Sequence, residues 1–484
     1  MIEHAPDLPF SPERTRACLR GRVTVKLAPD RAPDSLPHYL AVARGVADAA
    51  TRIDGGRIDA VLRKHSPATK VTRAFRAARE RATAGAVVRP HWDSVEQETG
   101  LSRTLRIDVD PAVGVIALCN ELAELAGVEG ASPCYLTVTP FAKPAPPKPS
   151  NPLYAYELVG AARALAFEPG DSALVVGIVD SGIFLEHAEL EGRWRSGADT
   201  VDLPHERLSR GLTLIGDADV PDLIPRDEMG HGTACASIIA ARGLRVPRGV
   251  GGACWVLPMR ALAAARMSER RSLTAIGAVP DIDEACKLAI DLGARVLNCS
   301  FGTPESALRE GDPIPHADVV EYARQRGCVL VAASGNDGKP TAYYPAALPG
   351  VIAVGSVGET GKPSSFTTRG DHVALCAPGE HIVAAGLSGY QTNTGTSFAA
   401  PFVAGACALL VARAARYAAP LDVDDVRELL VATARPFAVG SDTTGCGAGI
   451  LDIPAALAAL EERLAARDRP MTTRAFGEVA GAMH

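Results

Sequence analysis

The sequence predicts an α/β fold in which a parallel central sheet carries helices on both faces, preceded by a small α+β domain. Three observations predict it. From residue 173 onward, short apolar runs alternate with longer runs of helical spacing. Residues 103–139 read as strand, helix, strand. A chain of 484 residues is also longer than a single core usually serves.

Residues 22–27 (Arg-Val-Thr-Val-Lys-Leu) alternate as a strand, and 39–49, 58–64 and 71–82 carry helix-like spacing, with 60–100 reading as an insertion. Residues 103–109 alternate again, 115–126 form an amphipathic helix, and 134–139 make a second strand, closing a first domain expected over 1–138. The segment 139–152 is rich in Pro and poor in apolar residues, so it is expected to be an extended linker. The second domain is expected over 153–467. Its apolar runs fall at 173–179, 235–241, 255–259, 282–292, 295–298, 319–326, 329–333, 351–354 and 402–416, the alternation of strands joined by crossover helices. A turn at 447–454 and a helix ending near Arg467 complete it, and 468–484 reads as a mobile tail.

Composition narrows the function classes. With 47% hydrophobic residues, 46 Gly and 36 Pro the chain is globular and rich in turns. A net charge of −6 without a long basic run argues against nucleic acid as a partner. Apolar stretches such as 403–411 fall short of the roughly 18–20 residues that span a bilayer, so no membrane partner is expected. Residues 1–7 lack the basic and apolar regions of a secretory signal, and the eleven cysteines have no regular spacing. The expectation is packed free thiols in a reducing, cytoplasmic compartment, with export by another route left open.

Three distant stretches carry the chemistry: Val-Val-Gly-Ile-Val-Asp180-Ser-Gly, His231-Gly-Thr-Ala-Cys-Ala-Ser, and Gly395-Thr-Ser397-Phe-Ala-Ala-Pro-Phe-Val-Ala-Gly. A serine hydroxyl is a weak nucleophile near neutral pH and needs a base within hydrogen-bond reach and a third group to fix that base. Ser397 stands near the start of a buried helix, where unpaired N–H groups favour developing negative charge. His231 can take its proton and return it to a leaving amine. Asp180, at a strand end, can hold the imidazole tautomer. Any one of these alone reads as a helix cap or strand terminus. Together, in the order acid, base, nucleophile, they form a catalytic constellation.

These motifs and their order resemble the subtilisin-like serine peptidases, or subtilases. The resemblance implies a subtilisin-like fold and a serine endopeptidase that hydrolyses peptide or protein substrates through an acyl-enzyme on Ser397. It carries the oxyanion donor to Asn336, in Val329-Leu-Val-Ala-Ala-Ser-Gly-Asn336. Ser300, Phe301 and Gly302 become one wall of the substrate cleft, and Ala333, Ser334 and Gly335 the other. Phe301, large for its place, is expected to crowd the neighbouring subsite. Tyr343 falls at the pocket base where Gly is frequent, so its ring either fills the pocket and admits only small side chains or turns outward. Residues 122–136 resemble the end of an inhibitory propeptide, which makes the N-terminal domain an intramolecular inhibitor of a precursor that processes itself. An unrelated accessory domain is the alternative.

Cys235 resembles the thiol-bearing branch of the family that includes proteinase K. The loop 241–248 carries Arg where the family's calcium loop has oxygen donors, which makes calcium doubtful there even with Glu189 near; no cofactor is expected, with calcium left open as the one the family would take. His187 and Glu186 read as structural. Two other functions stay open: a maturation peptidase dedicated to one partner peptide, and a non-catalytic binding pseudoprotease.

Overall fold

Two seven-stranded sheets organise the chain in this computed structural model, which describes residues 18–82, 88–139, 148–208, 211–218, 220–267 and 273–467. The expected tail, 468–484, and residues 140–147 of the expected linker lie outside the described residues.

The first sheet is wholly parallel. Its strands run in the order Val373–Pro378, Val351–Val357, Val329–Ala333, Ala294–Cys299, Val175–Asp180, Trp255–Arg260 and Ala198–Asp199. Both faces are covered, which is why its central strands read as continuous apolar runs. Alternate side chains enter different cores. Val176 and Ile178 pack with the helices His231–Ala240, Thr396–Arg416 and Ile453–Arg467, while Val175 and Val179 pack with Val279–Asp291, Ala317–Gln325 and the N-terminal domain.

The second sheet is antiparallel, in the order Lys70–Arg73, Thr104–Asp108, Cys18–Leu27, Val128–Val138, Leu273–Ala278, Ala263–Met267 and Leu212–Ile215. Four strands belong to the N-terminal domain and three to the second. Ile276 opposes Val138 and Ala278 opposes Leu136, so the sheet runs across the expected domain boundary. Buried charges cross with it. Arg106 meets Asp281 at 2.8 Å and also Asp202; Lys287 meets Glu96 at 2.8 Å.

Several expectations change. Residues 71–82 are not helical: Lys70–Arg73 pairs with Thr104–Asp108 and Arg79–Ala82 pairs with Val88–His91. The helical spacing of Val71, Ala74 and Phe75 comes from a strand followed by a turn that buries all three, so tertiary pairing overrides local propensity. The 39–49 helix shortens to Tyr39–Ala43, followed by Gly45 at φ +67°. Nor is 60–100 a separable insertion, since it supplies a strand to the main antiparallel sheet and the capped helix Ser94–Glu98, whose Glu96 reaches Lys287.

Thr396–Arg416, 21 residues long with an 18-residue stretch of mean hydropathy 1.8, has the length and composition of a membrane span, which the sequence reading did not anticipate. Its apolar window is 83% buried inside the protein, as befits a core helix. All eleven cysteines are buried.

Candidate active site

Asp180 is the last residue of the central strand Val175–Asp180 and is fully buried. Its Oδ1 accepts the Ser181 N–H at 2.7 Å and lies 2.7 Å from His231 Nδ1. His231 opens the helix His231–Ala240 directly after Gly230, whose φ of +89° makes the sharp entry that a side chain would strain. Burial lowers the imidazole's proton affinity, but the Asp180 charge and hydrogen bond, with Asp227 behind them, outweigh it and hold His231 above its ordinary value of 6.5.

Asp227 escaped the sequence reading. It is buried, and its Oδ1 accepts Ser181 Oγ, the Met229 N–H and the Gly230 N–H, each at 2.9 Å. Oδ2 accepts the Thr233 N–H at 3.0 Å and Thr233 Oγ1 at 2.6 Å. One carboxylate thus fixes the first turn of the His231 helix and ties it to the residue after Asp180. The available signal was an acidic residue four positions before His231, spaced as a helix cap.

Ser397 is the second residue of Thr396–Arg416 and only 1% exposed. The Phe398 ring stands 5.1 Å from the His231 ring, bringing the start of this helix against the imidazole. In this rotamer Ser397 Oγ donates to the Ser300 carbonyl at 3.2 Å. Pro401 explains the anchorage beneath. Proline has no N–H, so the Ser397 carbonyl loses its helical partner four residues on. It is met instead by Ser300 Oγ at 2.7 Å and Cys235 Sγ at 3.4 Å, with Asn298 Nδ2 donating to Ser300 Oγ at 2.9 Å. The Ser300 side chain therefore faces the Ser397 backbone rather than a substrate.

Asn336 Oδ1 accepts the Thr396 N–H at 2.8 Å and Thr396 Oγ1 at 2.9 Å. This fixes the amide so that Nδ2 points over Gly395, where a Cβ would come within 3.1 Å of it. Gly395, at φ +149°, leaves that space open beside Ser397, and an oxygen carrying developing negative charge there would meet an N–H donor.

The cleft walls lie on either side. Phe301 is fully buried in the core shared with the N-terminal domain, 5.7 Å from the His316 ring. Gly302 donates its N–H to the Val138 carbonyl at 3.1 Å, and Thr139 donates to the Ala275 carbonyl at 3.1 Å. The strand Val128–Val138 and the residue after it therefore run between the Gly302 wall and Leu273–Ala278. Across the cleft, Ala333 ends its strand, Ser334 Oγ donates to the Thr368 carbonyl at 3.2 Å, and the Gly335 N–H donates to Thr396 Oγ1 at 3.2 Å. Tyr343 turns inward and is 5% exposed.

The thiol of Cys235 is buried, and burial raises it well above the usual range. Ligand atoms of Asp180, His231 and Cys235 lie within 4.8 Å of one another. The loop after the His231 helix does not suit a hard cation. Both Glu189 oxygens are taken by the N–H groups of Gly243, Leu244, Arg245 and Val246, and Tyr390 Oη adds to Oε1. Burial opposes the charge, but these backbone donors hold the carboxylate below its ordinary value. A nest of N–H donors around a carboxylate is the inverse of a calcium site. His187 Nε2 lies 2.8 Å from the Gly389 carbonyl and Glu186 pairs with Arg226 at the surface, both structural contacts.

Known proteins agree with this geometry. Thermitase of Thermoactinomyces vulgaris is 31% identical over 272 residues, 55% of this chain and 86% of that protein. The thermophilic serine proteinase of Bacillus sp. strain AK1 is 32% identical over 246 residues, 50% of this chain and 53% of that protein, so the match spans about half of its length. Among solved structures, a protease from Pseudoalteromonas arctica PAMC 21717 superposes with a TM-score of 0.52 and 25% identity, covering 66% of this chain and 99% of that one. Residues 171–477 match the model of the subtilase family, and with the parallel sheet and the paired Asp180 and His231 beside Ser397 this establishes that the chain belongs to that family of serine peptidases.

Proposed function

We propose that the protein is a serine endopeptidase made as a self-inhibited precursor, with Asp180, His231 and Ser397 as its triad and Asn336 as its oxyanion donor. The observation that carries the proposal is the convergence of a buried Asp180–His231 pair, the start of the Ser397 helix and the Asn336 amide on one small space. Ser397 Oγ turns from the Ser300 carbonyl and attacks the substrate carbonyl carbon, its proton passing to His231 Nε2. The carbonyl oxygen takes the negative charge against Asn336 Nδ2. His231 then gives the proton to the departing amine as the C–N bond breaks, leaving an ester on Ser397. Water, deprotonated by His231, hydrolyses that ester and restores the hydroxyl.

The N-terminal domain is the inhibitor. Its last strand runs along both rims of the cleft, through Val138 to Gly302 and Thr139 to Ala275, where a substrate would add as a strand. Cleavage is expected between 139 and 152. The burial of all eleven cysteines without a regular spacing supports a reducing compartment as the site of action. Cell fractionation checks that placement.

A fluorophosphonate probe and mass spectrometry test the function. Covalent label on Ser397, with loss of the N-terminal portion that is absent in Ser397→Ala, is the expected result. An unlabelled Ser397 in cut protein overturns the enzyme reading in favour of a binding pseudoprotease.

A further inference from the structure

The space between the two cleft walls is occupied by one ring. Tyr343 lies on the short strand Tyr343–Tyr344, which pairs with Thr303–Pro304 directly after Gly302. A Cβ placed on Gly302 would stand 3.2 Å from Tyr343 Cδ1, and one on Gly335 would stand 2.7 and 2.8 Å from Cδ2 and Cε2. The ring therefore touches both glycines, one edge to each wall. These walls flank the nucleophile: Gly335 is bonded to Thr396, the residue before Ser397, and the Ser300 carbonyl, two residues before Gly302, holds the Ser397 hydroxyl. The chain's own strand, entering through Val138 and Thr139, shows the path a bound peptide follows toward Ser397. A peptide extending that strand toward Ser397 passes the gap between the walls, and the buried Tyr343 ring fills that gap.

We infer that Tyr343 is the specificity-determining residue of this enzyme, a plug that restricts the position before the cleaved bond to Gly, Ala or Ser. The inference rests on the serine peptidase reading and narrows its substrate class. The glycines at 302 and 335 are then part of the same device, since any larger residue would displace the ring. Selection here is by excluded volume, which can reject a large side chain far more strongly than the roughly 10–200-fold that a single methylene supplies in a fitted pocket.

The test uses the full-length protein after its own cleavage, with fluorogenic peptides identical except for Gly, Ala, Ser, Val, Leu or Phe before the scissile bond. Wild type should favour Ala over Phe by at least about 100-fold in kcat/KM. Tyr343→Ala should gain that factor on Leu and Phe while changing little on Ala, and Tyr343→Phe, which keeps the ring, should retain the wild-type profile. Labelling of Ser397 by a small fluorophosphonate is measured on every variant, because it reports the chemistry independently of the pocket. An unlabelled wild type removes the peptidase reading itself. A labelled wild type that cleaves after Phe or Leu as readily as after Ala overturns the plug, and so does a labelled Tyr343→Ala with an unchanged profile. Should Tyr343→Ala lose its label through misfolding, Tyr343→Val, whose β-branched side chain suits the strand, takes its place with the same two outcomes.

Discussion

At the scale of single residues, the proposed triad combines a carboxylate held rigid, an imidazole whose proton affinity is raised and a serine whose backbone is anchored from below. Because Asp180 and Asp227 keep His231 above 6.5, and the base must be neutral to accept the serine proton, kcat/KM should rise with pH through a limb lying above 6.5. Asp180→Asn should lower kcat by about 10⁴-fold and move that limb to lower pH, read from a pH–rate profile. Asn336→Ala should lower kcat by about 10²–10³-fold with little change in KM, the magnitude associated with a single oxyanion donor. Cys235 supplies a third expectation. Its buried, protonated thiol reacts slowly, but mercury bound there can draw in His231 and Asp180, so a mercurial should abolish activity as labelling proceeds. Cys235→Ala should resist it. Full activity after stoichiometric labelling would contradict the account.

At the scale of elements, loops and helix ends are set by carboxylates facing backbone N–H groups. The Glu189 nest replaces a cation with four peptide donors, so Glu189→Gln should destabilise the protein by about 1–3 kcal/mol, while a chelator should leave the unfolding of this loop unchanged. Hydrogen exchange at residues 243–246 reads both.

The helix Val279–Asp291 carries a pH dependence. Burial raises Glu284 from 4.5 to about 8. The groups facing it are the His38 imidazole at 3.4 Å, itself lowered to about 3 by burial, the Arg76 N–H at 3.2 Å, and the charges of Lys287, Arg76 and Asp291. His38 and Arg76 belong to the N-terminal domain, so the docked form keeps a proton that the separated form has released between pH 4.5 and 8. His38, held neutral in the docked form, opposes docking as pH falls below 6.5, so the two shifts offset each other between pH 4.5 and 6.5 and docking weakens as pH rises from 6.5 to 8. Retention of the N-terminal fragment by chain cut between 139 and 152 should fall between pH 6.5 and pH 9 in size-exclusion chromatography. Glu284→Gln should flatten that slope.

At the scale of the whole molecule, the N-terminal domain and the second domain share one antiparallel sheet and one core, so neither half buries its apolar surface alone. Residues 148–484 expressed without 1–139 should be poorly soluble, the strand Leu273–Ala278 losing its partner Val128–Val138, and supplying 1–139 in trans should restore soluble protein. Much of this was legible in the sequence. Asp180, His231, Ser397 and Asn336, which the fold brings to one place, stood out because each sits in a short local motif at the end of an apolar run, and five of the seven parallel strands stood out because burial on both faces makes them uniformly apolar, while Val373–Pro378 and Ala198–Asp199 did not. Asp227 was missed because its work is done by hydrogen bonds to three backbone N–H groups and two hydroxyls, none of which marks it out in residue type. The strand at 263–267 was missed because an Ala-rich run carries little periodicity, those at 212–215 and 273–278 because they are short runs whose pairing is supplied by distant strands, and residues 71–82 were misread because a strand and turn can mimic helical spacing. The sequence by itself determined the candidate catalytic groups and the class of sheet that holds them, since both follow from local chemistry and apolar pattern. Only the tertiary structure decided that the N-terminal strand lies in the cleft, that Glu189 faces peptide N–H groups, and that the Tyr343 ring turns inward between Gly302 and Gly335. Each of these depends on which distant backbone comes within hydrogen-bond or van der Waals reach, and contact across hundreds of residues has no counterpart in local order.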